Sequence, residues 1–64
     1  MNDYYIGEWT TGGMSKGVAQ SANGSRAIES YAGVGVGSGK IMLSMTRISE
    51  SEFERNKARG VKTV

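Results

Sequence analysis

Neither cysteine nor histidine occurs anywhere in this chain of 64 residues. Without cysteine there is no disulfide framework and no thiolate metal site. Without histidine there is no imidazole base, and the two gaps together remove zinc fingers, Ser-His triads and Cys-His dyads. Long hydrophobic runs are missing as well: no window approaches the roughly 18 apolar residues that span a bilayer, so no membrane partner is expected. The opening Met1-Asn2-Asp3-Tyr4-Tyr5-Ile6 has no basic stretch followed by an apolar one, which leads to the expectation of a cytoplasmic protein. A strong charge of one sign is also lacking. The formal net charge is +2, although the sequence pI is 9.2, and neither half reads as a polybasic arm.

At this length a single domain is expected, near the lower edge of what folds without a metal or disulfide, because such a chain buries only about 60% of its unfolded surface. Stability is therefore expected to be marginal, and a partner or a second copy in a homodimer to contribute to it.

Tyr4 to Thr10 alternates aromatic and β-branched residues and predicts a strand, with Tyr4, Ile6 and Glu8 on one face and Tyr5, Gly7 and Trp9 on the other. Thr11-Gly12-Gly13 reverses the chain into a weaker strand from about Met14 to Gln20. After a polar turn, Ser25 is expected to cap a helix running to Ala32, with Ala27, Ile28, Tyr31 and Ala32 on one face and Gly33 ending it. The glycine-rich stretch 33–39 reads as a loop. Lys40 to Ile48 predicts a further strand, expected at the centre of the sheet, with Ile41, Leu43 and Met45 on one face and Met42, Ser44, Thr46 and Ile48 on the other.

Ile48-Ser49-Glu50-Ser51-Glu52-Phe53 is the most specific local pattern. Ser49 as N-cap puts Glu52 at N3 in a capping box, while Ile48 and Phe53 can form a hydrophobic staple. Glu50, Glu52 and Glu54 precede Arg55, Lys57 and Arg59, the order that complements the helix dipole. Gly60 stops this helix. Residues 1–60 thus form one α+β domain of order β-β-α-β-α, a three-stranded, mainly antiparallel sheet with one packed helix and a short C-terminal helix. Residues 61–64 are expected to be a mobile tail.

Several motifs fail on inspection. Gly37-Ser38-Gly39-Lys40 approaches a phosphate-binding loop, but Val34 stands where its first glycine belongs, Ile41 follows the lysine, and a strand follows where a helix is needed. The spacing of Gly33, Gly35 and Gly37 also misses the dinucleotide fingerprint. Of the three glutamates only Glu50 and Glu54 share a helical face, so a dipole-complementing first turn explains them better than acid–base chemistry or a metal. Asn23-Gly24-Ser25 matches a glycosylation acceptor, but without a secretory leader it reads as a turn. No catalytic, cofactor or metal residue is assigned, and the chain is expected not to be an enzyme in its own right.

What remains is contact surface. Tyr5 and Trp9 on the sheet would serve as desolvated anchors if their face is open, and Arg47, Arg55, Lys57 and Arg59 would steer a partner and set register. Which sheet face carries Trp9 stays open at this point. The same residues would suit a small RNA- or DNA-binding module, with bases stacked on the aromatics and phosphates on the cations.

The hairpin, single helix, strand ending in Met45-Thr46-Arg47-Ile48 and charged tail give the chain a layout similar to that of small bacteriophage accessory proteins that inhibit host enzymes or defence complexes. The resemblance implies a non-enzymatic inhibitor or regulator acting in the host cytoplasm. It would block a larger host protein by occupying its surface.

Overall fold

The computed structural model of the chain describes residues 2–12 and 15–64. Gly13, expected in the first reversal, and Met14, expected to open the second strand, lie outside the described residues. The elements are β1 (Tyr5–Thr11), β2 (Ser15–Ser21), α1 (Ser25–Ala32), β3 (Lys40–Arg47) and α2 (Glu50–Ala58), the expected α+β order. The strands form one antiparallel sheet of order β2-β1-β3. β1 is therefore the central strand, and β3, expected there, is an edge.

The reason lies in what each strand can bury. Side chains alternate across a strand, so Tyr5, Gly7 and Trp9 of β1 face α1. Tyr4, just ahead of β1, belongs to the opposite face, where its ring centroid lies 4.9 Å from that of Phe53 in α2. β1 is thus covered by α1 on one side, and the residue that leads into it meets α2 on the other. On β3, by contrast, Ile41 and Leu43 stay exposed.

A bulge changes the phase of β3. Opposite β1, Trp9 pairs with Met42 and Glu8 with Ser44, which leaves Leu43 as the extra residue. An inserted residue shifts the alternation by one position. Lys40 and Met42 before the bulge, and Met45 and Arg47 after it, therefore share the α1 face. This corrects the strict alternation that grouped Leu43 with Met45. Met42 and Met45 both pack against the core, which is built from Trp9, Ala19, Ile28 and Ala32.

Two strand glycines make that core possible. A Cβ on Gly17 would lie 2.4 Å from Trp9 Cε2, because Gly17 stands opposite Trp9 and the indole lies across it. A Cβ on Gly7 would lie 2.9 Å from Ile28 Cγ2 and 3.1 Å from Met45 Cε, so α1 rests directly on the β1 backbone there. These bulky neighbours fill the space that otherwise makes glycine a poor strand residue.

α1 buries Ile28 and Ala32, while Tyr31 stays half exposed and meets the edge of Trp9 at a centroid distance of 6.0 Å. Gly24, not Ser25, is the N-cap, and no side chain caps that end. The backbone is held instead from the N-terminal segment, where Gly24 N–H donates to Asp3 O at 2.9 Å and Asp3 N–H to Ala22 O at 2.9 Å. Gly33 ends the helix in the left-handed conformation, as expected.

α2 crosses the other face. Ser49 Oγ accepts from Glu52 N–H at 3.1 Å, which is the N-cap half of the capping box, and Ile48 and Phe53 of the staple are both buried. The inner face is completed by Asn56, since Phe53 and Asn56 are three residues apart and share a stripe.

The segment expected to be a mobile tail is docked. Gln20 N–H donates to Lys62 O and Gln20 O accepts from Val64 N–H, each at 2.8 Å, so residues 62–64 run parallel to the outer edge of β2. The Gln20 side chain is fully buried, and its Nε2 donates to Phe53 O and to Thr63 Oγ1, both at 3.0 Å. One amide thus ties α2 and the C-terminal segment to β2. Its Oε1 is buried without a partner.

Two stability predictions follow from this packing. Gly17→Ala should destabilise by about 1–3 kcal/mol through overpacking, with a red-shifted Trp9 emission. Relief of strand entropy alone would give the opposite sign, about 0.5–1 kcal/mol of stabilisation, so thermal denaturation decides between them. Gln20→Ala should cost about 1–3 kcal/mol through the lost amide contacts and speed hydrogen exchange at Val64 N–H. Unchanged exchange would show that the tail does not depend on the clamp.

Candidate functional site

The residues expected to bind a partner do not form one surface. Trp9 is only 8% exposed and belongs to the core, so the aromatic pair that Tyr5 and Trp9 would have offered on an open face is not present. Tyr5 is half-buried on the α1 side of the sheet. Its ring lies 5.6 Å from Arg47 Cζ, and Arg47 Nη2 donates to Asp3 Oδ1 at 2.8 Å. Arg47 thus has a carboxylate and an aromatic face beside it while its side chain stays largely exposed, so both contacts are weak.

Arg55, Lys57 and Arg59 are exposed on α2, against the opposite face of the sheet. Helical spacing places Arg55 and Arg59 in one stripe and Lys57 well away from it. Arg59 also donates to the Asn56 side chain. The six expected residues are thus divided between two sides of the molecule, and on α2 the cations are divided again.

A surface that the sequence did not point to lies on the face opposite α1. α2 covers one end of that face, around Tyr4, Gln20 and Ile48. At the other end, cross-strand pairing sets Val18 opposite Glu8 and Glu8 opposite Ser44, with Lys16 opposite Thr10 and Thr10 opposite Ile41 in the next row. Val18 is 42% exposed, Ile41 62% and Leu43, at the bulge, 48%. In their midst Lys16 Nζ approaches Glu8 Oε2 at 3.9 Å, which leaves the patch with no net charge. Two features determine it, the hairpin register, which fixes Val18 against Glu8 and could have been read from the sequence, and the phase shift in β3. The second is invisible in the sequence because Leu43 and Ser44 carry no bulge signature.

The shape of the molecule agrees with an uncovered face. Its principal extents are 34 × 23 × 15 Å. The loop between α1 and β3 adds a fully exposed Val36 at its tip, while Ser38 Oγ, accepting from Gly35 N–H and Lys40 N–H, holds the base of the turn.

Among the described residues there is no cavity, no group of three carboxylates placed to hold a metal ion, and no helix long and apolar enough to cross a membrane. The glycine-rich stretch 33–39 is a loop between a helix and a strand, and Lys40 Nζ, which would have to serve a phosphate, donates to Ala32 O at 2.6 Å. No protein-family model, no curated protein and no solved structure matches this chain.

Proposed function

We propose that the chain is a small non-enzymatic protein-binding module whose docking surface is the open sheet face around Val18, Ile41 and Leu43. The observation that carries this reading is the distribution of apolar side chains. Three of the larger ones are solvent-exposed on or beside one sheet face, in a domain whose buried core contains few. Exposed apolar patches rimmed by polar groups are where protein partners dock. Here the rim is supplied by Glu8, Lys16, Thr10 and Ser44.

An inhibitor or regulator is the most concrete form of this function, acting by covering a surface of a larger protein, which is what the resemblance in layout to small phage accessory proteins would imply. Ile41 and Val18 would be the desolvated anchors, and Arg55 and Arg59 on α2 would contribute to encounter through long-range charge. The competing nucleic-acid reading draws less support from the geometry. Its best stacking platform, Trp9, is in the core, and Arg47 is paired with Asp3.

The test uses the tagged full chain to capture partners from lysate, with and without nuclease, alongside Val18→Lys and Ile41→Lys variants whose fold is checked by circular dichroism. One defined protein should survive nuclease, and each variant should weaken its binding by about tenfold or more, as expected for a hot-spot side chain. Loss of all captured material after nuclease would sink the reading, as would capture that is indifferent to both substitutions. Salt supplies a second criterion: affinity for a nucleic acid falls steeply with ionic strength, whereas that of an uncharged patch should change little.

A further inference from the structure

The outer edge of β3 presents a second surface, distinct in geometry from the sheet face. On the β1 side, Ile48 N–H donates to Tyr4 O at 3.0 Å and Gly12 N–H to Gly39 O at 3.2 Å. Antiparallel pairing alternates between groups that point to the neighbouring strand and groups that point away. Counting from these two bonds, the backbones of Gly39, Ile41, Ser44, Thr46 and Ile48 turn toward β1. Those of Lys40, Met42, Met45 and Arg47 turn outward, where the sheet order places no strand. The other outer edge, along β2, is occupied at Gln20 by residues 62–64.

Natural proteins guard such an edge with proline, with charges along it or with bulges. The chain has no proline, and the six residues from Ile41 to Thr46 are uncharged. The guards present are the bulge and the cations Lys40 and Arg47 at the two ends of the strand, and the position of the bulge makes the edge self-complementary. If a second β3 runs antiparallel to the first about a two-fold axis between Leu43 and Ser44, Met42 opposes Met45 of the second copy and Lys40 opposes Arg47. The outward backbone groups of both strands then meet, because each strand carries the same extra residue at the same place.

Charge bears on this register too. Lys40 opposite Arg47 would be a repulsive pair, but Asp3 lies 2.8 Å from the Arg47 guanidinium. Each end of the joint would thus hold two cations and a carboxylate. On the open face, Leu43 and its symmetry mate would lie side by side at the axis.

We propose that this chain forms a two-fold homodimer through antiparallel β3–β3 pairing, giving a continuous six-stranded sheet with both copies of α1 on one side. A standard interface takes about 800 Å² from each partner, roughly a fifth of the 4228 Å² exposed here. A strand edge with its flanking side chains covers less, so the dimer is expected to be weak and concentration-dependent. This inference goes beyond the docking reading: it uses the strand edge, and a dimer would set two open patches side by side on one sheet.

Sedimentation equilibrium of the full chain across a concentration series tests it, with hydrogen exchange read by NMR at single amides. Dimerisation should slow exchange at Met42 and Met45 N–H as concentration rises, while Ile41 N–H, already turned toward β1, should change little. Leu43→Lys and Leu43→Glu should each weaken association by about tenfold or more through like charges at the axis, and an equimolar mixture of the two should restore it. Asp3→Asn should weaken it as well. A chain that stays monomeric up to about 1 mM, corresponding to no more than about −4 kcal/mol, overturns the proposal. So does a dimer whose Met42 and Met45 amides remain unprotected, or one that both Leu43 substitutions leave intact. A monomeric chain that still binds a partner through Val18 and Ile41 would sink the dimer and leave the docking face standing. A dimer that captures no partner would do the reverse.

Discussion

The indole of Trp9 lies where a side chain on Gly17 would have to be, and the core beneath α1 is built around that overlap. With the indole flat across β2, the α1 side of the sheet has one large aromatic surface against which Ile28 and Ala32 pack, while Tyr31 meets the indole edge-on. Gly7 lets α1 approach the β1 backbone closely, and Ala19, opposite Gly7, keeps β2 equally low. The core of this small domain is thus built by leaving side chains out of the strands and filling the space from the helix and from one tryptophan. This explains how a chain with ten glycines can keep two of them inside a sheet without losing it, since the packing they permit offsets their backbone entropy.

That choice has consequences on the far face. Once Trp9 points to α1, the even-numbered residues of β1 must turn away from it, and α2 is too short to cover them all. It spans the end of the sheet at Tyr4, Gln20 and Ile48, where the buried amide of Gln20 joins β2, α2 and the C-terminal segment. Buried polar side chains are retained where their hydrogen bonds specify one arrangement. Gln20 does so here for two elements at once, although its Oε1 stays without a partner. The remainder of the face, with Val18 and Ile41, is left to solvent or to another molecule.

The bulge in β3 links core to surface. By shifting the alternation one position, it directs Met42 and Met45 to the same side, so both fill the core beneath α1. The same shift puts Ile41 outside and leaves Leu43 half exposed. A strand without the bulge would bury only one of those methionines and would present a different edge. Internal packing and exposed apolar surface are therefore two results of one local irregularity.

Local features were legible in the sequence because they depend on residues close together in the chain. The extents of α1 and α2, the Ser49 cap with its acidic first turn, the left-handed Gly33 and the strand–strand–helix–strand–helix order each follow from a few neighbouring side chains. What depended on distant partners was not legible. The central position of β1, the burial of Trp9 and the docking of residues 62–64 on β2 are decided by which bodies compete for the same space, and sequence alternation describes two faces without saying which is covered. For the same reason the expected site was dispersed. Tyr5, Trp9 and Arg47 went to the helix side and Arg55, Lys57 and Arg59 to α2, while Val18, Ile41 and Leu43 became the exposed apolar surface through a one-residue slip that no local composition marks.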